Sequence, residues 1–127
     1  GALVIGILAG FVCYHATVFL KQRLKIDDSL DVFPVHGVGG ALGTLLAAVF
    51  ASAGLGVFSG QGLAEGMTIA SQFQVQLIGV LASGVYTAIV TFVLLKLIDR
   101  MLGLRVSQDE ETEGLDLTQH NERGYDL

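Results

Sequence analysis

The chain has 127 residues, of which 52% are hydrophobic and 15% are charged, and its formal net charge is -5. A soluble domain carries about 25% charged residues, and the mean hydropathy of +0.65 is correspondingly high. Seven of the twelve acidic residues follow Arg105, so the net charge mainly describes a polar tail. No basic patch indicates a nucleic-acid partner. The single cysteine, Cys13, forms neither an intramolecular disulfide nor a cysteine metal cluster.

Three apolar runs are long enough to cross a bilayer, which takes about 20 helical residues. They predict an all-α, polytopic membrane protein with spans at about residues 1–20, 32–53 and 67–97. We divide the chain into a membrane part, residues 1–105, and a tail, residues 106–127. The chain begins inside the first run and shows no signal peptide, so we expect it to be the C-terminal part of a longer protein.

Basic residues mark two of the polar segments. Three follow the first run and three lie at or beyond the end of the third: Lys21, Arg23, Lys25, Lys96, Arg100 and Arg105. The connection between the second and third runs, residues 54–66, contains neither lysine nor arginine. Because positively charged loops stay in the cytoplasm, we expect the first connection and the C-terminal tail to be cytoplasmic.

Three carboxylates and a proline precede the second run. Asp31 is a good candidate for the N-cap, and we place the helix start between Asp28 and Asp31. Pro34 then falls in the first turn, where its missing N–H breaks no helical bond. Asp27, Asp28 and Asp31 are interpreted as capping and loop groups, as an acidic vestibule that concentrates cations, or as both. A metal site is not predicted, because these residues at this spacing fit a divalent ion only loosely.

His36 is the ionisable residue of the second run. The helix dipole and the low dielectric of the bilayer both disfavour an imidazolium, so we expect a neutral ring. Gly40, Gly43 and Ala47 share its side of the helix. This small face leaves room for another helix, to which His36 would hydrogen-bond, or for a transport path. We expect neither enzyme activity nor a cofactor, since no nucleophile with a base and no phosphate loop is visible.

Residues 106–127 are polar and acidic, which is typical of a disordered tail. Leu115, Leu117 and Tyr125 interrupt the polar sequence and could dock on another surface.

The stretch from Asp27 to Gly40 closely resembles the Amt/Mep/Rh ammonium transporter family, in its Amt branch. It reads DDSLDVFPVHGVGG and matches the pattern D-D-x-x-D-x-F-x-x-H-G-x-x-G. Residues 113–120, EGLDLTQH, are similar to the family's tail pattern E-G-x-D-x-x-x-H. The resemblance covers the whole chain. It implies the last three of eleven transmembrane spans, followed by a docked regulatory tail.

This resemblance implies transport of ammonium or ammonia through a hydrophobic pore, with methylammonium as an analogue. His36 would be one of two paired pore histidines, and its partner would lie on an earlier span. Val32 would line the pore, Asp31 would face the inner vestibule and Asp28 would be a structural carboxylate. The alternative is an ammonium sensor or receptor that signals through the cytoplasmic tail.

The resemblance also implies a multi-pass homotrimer in the lipid of the cell membrane, either plasma or inner membrane. A PII-type signalling protein would be a partner at its cytoplasmic face. In the tail, Gly114, Asp116 and Thr118 match the family pattern. The position of Thr118 is phosphorylated in plant relatives, but here we expect a polar docking residue.

Overall fold

The computed structural model describes residues 1–56 and 61–124, and all regular elements in those ranges are helical. The chain divides into two compact units, Gly1–Gly84 and Val85–Leu127. This boundary falls inside the longest helix, whereas we placed the division at residue 105, and that division remains a prediction. The all-α prediction is confirmed.

The first span is a continuous helix with a widened last turn. It consists of α1 (Ala2–Val18) and a π-helical segment, π1 (Phe19–Arg23). Together they cover 22 residues, Ala2–Arg23. The span is apolar almost throughout and ends where the basic residues of the first connection begin.

The second span also changes its winding. A π-helical segment, π2 (Phe33–Val38), leads directly into α2 (Gly39–Phe50). The 18 residues of Phe33–Phe50 extend over about 27 Å at 1.5 Å per residue, close to the ~30 Å of a bilayer's hydrocarbon core. Pro34 lies in the first turn, as its fixed φ and missing N–H require.

The first two spans pack side by side and run antiparallel. Three contacts follow one another along their interface, which we call the seam. They pair Gly1 with Phe50, Cys13 with Gly39, and Lys21 with Asp31. The pairs occur in opposite order along the two spans, so residues that begin one span face those that end the other.

The third span, α3, runs from Ile69 to Leu102 and contains 34 residues. Thr68 and Ser71 cap its start reciprocally, since each side-chain oxygen accepts a hydrogen bond from the other's backbone N–H, at 3.1 and 2.8 Å. The helix extends over about 51 Å, which exceeds the hydrocarbon thickness and requires tilting or protrusion from the bilayer. None of its residues is buried by the chain.

The apolar side chains of the spans point outward. Four of the described residues are buried: Leu20, Pro34, Ala48 and Gly56. Large hydrophobic residues are exposed along all three spans, and each span is long and apolar enough to cross a membrane. A water-soluble chain would bury these side chains, so the exposed surface is suited to lipid and to neighbouring membrane helices.

Two short helices form the described part of the tail. They are α4 (Gln108–Glu113) and α5 (Leu115–His120), and they contact each other. The residues predicted to dock include Tyr125, which lies outside the described residues.

Candidate functional site

The start of the second span depends on the carboxylate of Asp28. One of its oxygens accepts the backbone N–H of Val32 and the other accepts that of Phe33, both at 2.9 Å. Pro34 has no N–H, and the N–H of Val35 donates to the carbonyl of Asp31 at 3.0 Å. Each N–H of the first turn that needs an acceptor therefore has one. The two backbone hydrogen bonds hold the pKa of Asp28 below its ordinary value, since they stabilise the carboxylate.

The prediction that Asp31 caps this helix was wrong. Asp31 adopts a left-handed backbone conformation, with φ of 56°, and its Oδ1 lies 2.7 Å from Nζ of Lys21 at the end of the first span. Asp tolerates this conformation better than most residues. The turn directs its carboxylate to the seam and leaves the capping position to Asp28, three residues earlier.

His36 lies in the middle of π2, and its residue surface is exposed. In the described ranges, no hydrogen bond joins its imidazole to another group, so the interhelical alternative finds no partner there. A π-helical segment inside a helix is uncommon and is frequently found at functional sites. The structure therefore presents the imidazole outward from a locally widened turn.

A bare face surrounds His36 on the second span. Val32, one turn earlier, is 52% exposed, and a Cβ added to Gly40 or Gly43 would meet no atom within 4 Å. We call Val32, His36, Gly40 and Gly43 the open face. The role of the small face stays a prediction, but neither of its glycines approaches the first span closely. The glycine that does so is Gly39, where an added Cβ would lie 2.9 Å from Sγ of Cys13.

A capping box starts the tail. The Ser107 side chain accepts the N–H of Glu110, and the Glu110 carboxylate accepts the N–H and hydroxyl of Ser107 at 2.9 and 2.8 Å. Arg105 pairs with Glu111 at 2.7 Å. The other carboxylate oxygen of Glu110 accepts Nε2 of Gln119 from α5, at 3.2 Å. One carboxylate therefore stabilises both the start of α4 and its contact with α5.

Gly114 separates the two tail helices and has a φ of 108°. Side-chain-bearing residues rarely adopt this conformation, so glycine is required here. Its carbonyl accepts both the N–H and the hydroxyl of Thr118, at 3.1 and 3.0 Å. The carbonyl of Asp116 accepts the N–H of Glu122, at 2.8 Å, and closes α5. The three predicted tail residues thus each shape the local backbone.

Replacing Glu110 by Gln is expected to loosen the tail. Hydrogen bonds from Ser107 hold the pKa of Glu110 below its ordinary value of 4.5. A carboxylate with a lowered folded pKa stabilises above its unfolded pKa, and this stabilisation is lost as pH falls through the folded value. Faster amide hydrogen exchange in residues 108–120 is expected for the variant at neutral pH, and for the native tail only below pH 4.5. Exposed Glu113 replaced by Gln is the control, and equal exchange in both variants would contradict this role.

Several contacts at these sites were not anticipated. The ion pair of Lys21 with Asp31 and the approach of Cys13 to Gly39 both depend on how two spans pair. The capping box at Ser107 did have a local signal, because Ser-x-x-Glu before a helix is its sequence signature. No group of three or more His, Cys, Asp or Glu that could hold a metal ion lies in the described residues.

The three apolar spans are those of a multi-pass membrane protein. The family model of the Ammonium Transporter Family matches residues 1–125. The chain belongs to this family.

Curated relatives match the sequence over nearly the full length of the chain. A putative ammonium transporter from Methanothermobacter thermautotrophicus is 43% identical and covers 99% of the chain. Ammonium transporter Amt1 from Archaeoglobus fulgidus is 41% identical, and the ammonium transporter of Bacillus subtilis is 38% identical, each over 98% of the chain. The chain spans only 31%, 31% and 30% of these relatives' lengths, respectively.

Proposed function

We propose that this chain is part of a protein that moves ammonium or ammonia across a membrane, and that His36 lines its path. The observation that carries the proposal is the open face of the second span in a member of the ammonium transporter family. Val32 and His36 are exposed, and a Cβ added to either glycine would meet no atom of the described neighbours within 4 Å. A narrow path beside such a surface would meet little side-chain bulk except the imidazole.

An imidazole suits this role because its neutral form can donate one hydrogen bond and accept another. It can therefore pass a proton or accompany a small polar molecule without holding a fixed charge. We propose that a second histidine, contributed by another part of the full protein, completes the site. Val32 would line the path on the side of the first connection, near the carboxylates of Asp28 and Asp31.

The distribution of basic residues supports a cytoplasmic position for the first connection and the tail. We place the protein in the cell membrane with the C-terminus in the cytoplasm. A homotrimer and a PII-type signalling partner on this cytoplasmic side remain parts of the proposal that follow from the family resemblance.

A sensor that signals through the tail is the second candidate function. It is favoured by the order within the tail, where the capping box of Ser107 and the bond between Glu110 and Gln119 hold two helices together. An acidic tail with no role would need no such connections.

Ammonium flux into proteoliposomes tests both candidates. We expect saturable flux from the full-length protein, and an altered flux when the chain ends after Arg105, because the ordered tail would then regulate transport. Equal incorporation into the vesicles is the control. Absence of flux from the correctly assembled full-length protein would contradict transport. Unchanged flux after truncation, together with lost cellular signalling, would favour the sensor.

A further inference from the structure

We propose that the first span acts as a positioning strut for His36, fixing the histidine-bearing segment at both of its ends through Lys21 and Cys13. This inference rests on the proposed role of His36 in transport. It assigns a function to two residues of the first span that lie outside the stretch from Asp27 to Gly40.

The first fixed point lies five residues before His36. Asp31 Oδ1 is 2.7 Å from the Lys21 ammonium, and the two side chains are only 33% and 40% exposed. The carbonyl of Asp31 also accepts the first i to i−4 hydrogen bond of the span, from Val35. Movement of Asp31 would therefore move the start of the helix that carries His36.

The second fixed point lies three residues after His36. A Cβ at Gly39 would lie 2.9 Å from Sγ of Cys13 and 4.0 Å from the carbonyl of Pro34. Atoms this close cannot coexist without a shift, so the absence of a side chain at position 39 allows the two spans to approach. Cys13 is partly buried and forms no disulfide, which suits a packing residue.

Between the two fixed points, π2 departs from regular α-helical winding. We infer that the departure is held in place because Asp31 and Gly39 both approach the first span, while His36 between them is exposed. The seam thus controls the depth and direction of the imidazole without touching it. A misplacement of about 1 Å in a reacting group can cost on the order of a hundredfold in rate.

The strut is tested in the full-length protein by adding a methyl group at position 39 and then removing the sulfur that this group would meet. Gly39→Ala should lower the maximum rate of methylammonium uptake per transporter on the order of tenfold, with a smaller change in KM. Cys13→Ala alone should lower the rate less than Gly39→Ala does, because it loosens the second fixed point without pushing the spans apart. Cys13→Ala with Gly39→Ala should restore most of the rate, because removing the sulfur makes room for the new methyl group. A double variant no faster than Gly39→Ala would overturn the proposal.

Lys21→Gln tests the other fixed point without adding bulk. It should lower the maximum rate, whereas Lys25→Gln, which removes the same charge from the same connection, should not.

The melting temperature of the purified protein tests the seam separately from transport. It should fall for Gly39→Ala and recover in the double variant even if His36 has no role in transport. Normal rates in both Gly39→Ala and Lys21→Gln, with His36→Ala inactive, would overturn the strut alone.

Discussion

Replacing His36 by alanine in the full-length protein is expected to lower ammonium and methylammonium uptake by about tenfold or more. The imidazole is the only ionisable side chain of the open face, so its loss leaves Val32, Gly40 and Gly43 with no group that can accept or return a proton. Proton transfer by a positioned side chain is typically worth about a hundredfold or more in rate.

His36→Glu refines this expectation. A carboxylate can also relay protons, so this variant should retain more uptake than His36→Ala. The matched control is His15→Ala. His15 also lies in a span, but its ring packs on Phe11 of the same helix, with the ring centroids 4.4 Å apart. Unchanged uptake by His36→Ala, at equal amounts in the membrane, would remove His36 from the proposed path.

Replacing Asp28 by alanine is expected to produce the largest loss of stability among the variants considered. It leaves the N–H groups of Val32 and Phe33 without their acceptors at the start of a membrane helix, where unsatisfied backbone groups are costly. The melting temperature should fall, and uptake should fall with it because the histidine-bearing turn loses its fixed start. Asp28→Asn should be intermediate, since the two bonds go to different oxygens and an amide replaces one of them with an NH2 group that cannot accept.

Asp27→Ala is the control for Asp28, because it removes the same charge from the adjacent position. Asp27 accepts a hydrogen bond from the Ser29 hydroxyl at 3.4 Å, within the connection between the spans. Equal melting temperatures for the two alanine variants would contradict the capping role. The pKa of Asp28 is lowered from 3.8, so its contribution is present above that pH and is lost as pH falls through the lower folded value.

Apolar length predicted the spans, and the stretch from Asp27 to Gly40 predicted the family, because both signals are carried by many residues at once. The capping residue could not be chosen in the same way. Asp28 and Asp31 are equally good caps by residue type. The choice depends on Lys21, which draws Asp31 to the seam from ten positions earlier in the chain. An interaction between two spans is absent from the local pattern that the sequence displays.

The small residues show the same limit: a contact between two spans cannot be predicted from the local sequence. Helical periodicity placed Gly40 and Gly43 on the side of His36, and a Cβ added to either would meet no atom of the described neighbours within 4 Å. Periodicity could not reveal that Gly39 is the glycine in contact, since this depends on the register between the first and second spans. The tail differs, because its capping box at Ser107 involves residues close together in the chain and can be recognised from the sequence. Its contact between Glu110 and Gln119 again depends on how two helices meet.

The ion pair between Lys21 and Asp31 has a consequence for how the protein enters its membrane. The two residues close a short loop between antiparallel apolar helices, so the first and second spans form a helical hairpin with its charged end paired. A hairpin of this kind can insert into the bilayer as one unit, because its backbone is satisfied within each helix and its seam is already packed. The third span shares no such seam in the described residues and can join afterwards. We therefore infer that, within this part of the protein, the first two spans insert as a pair before the third.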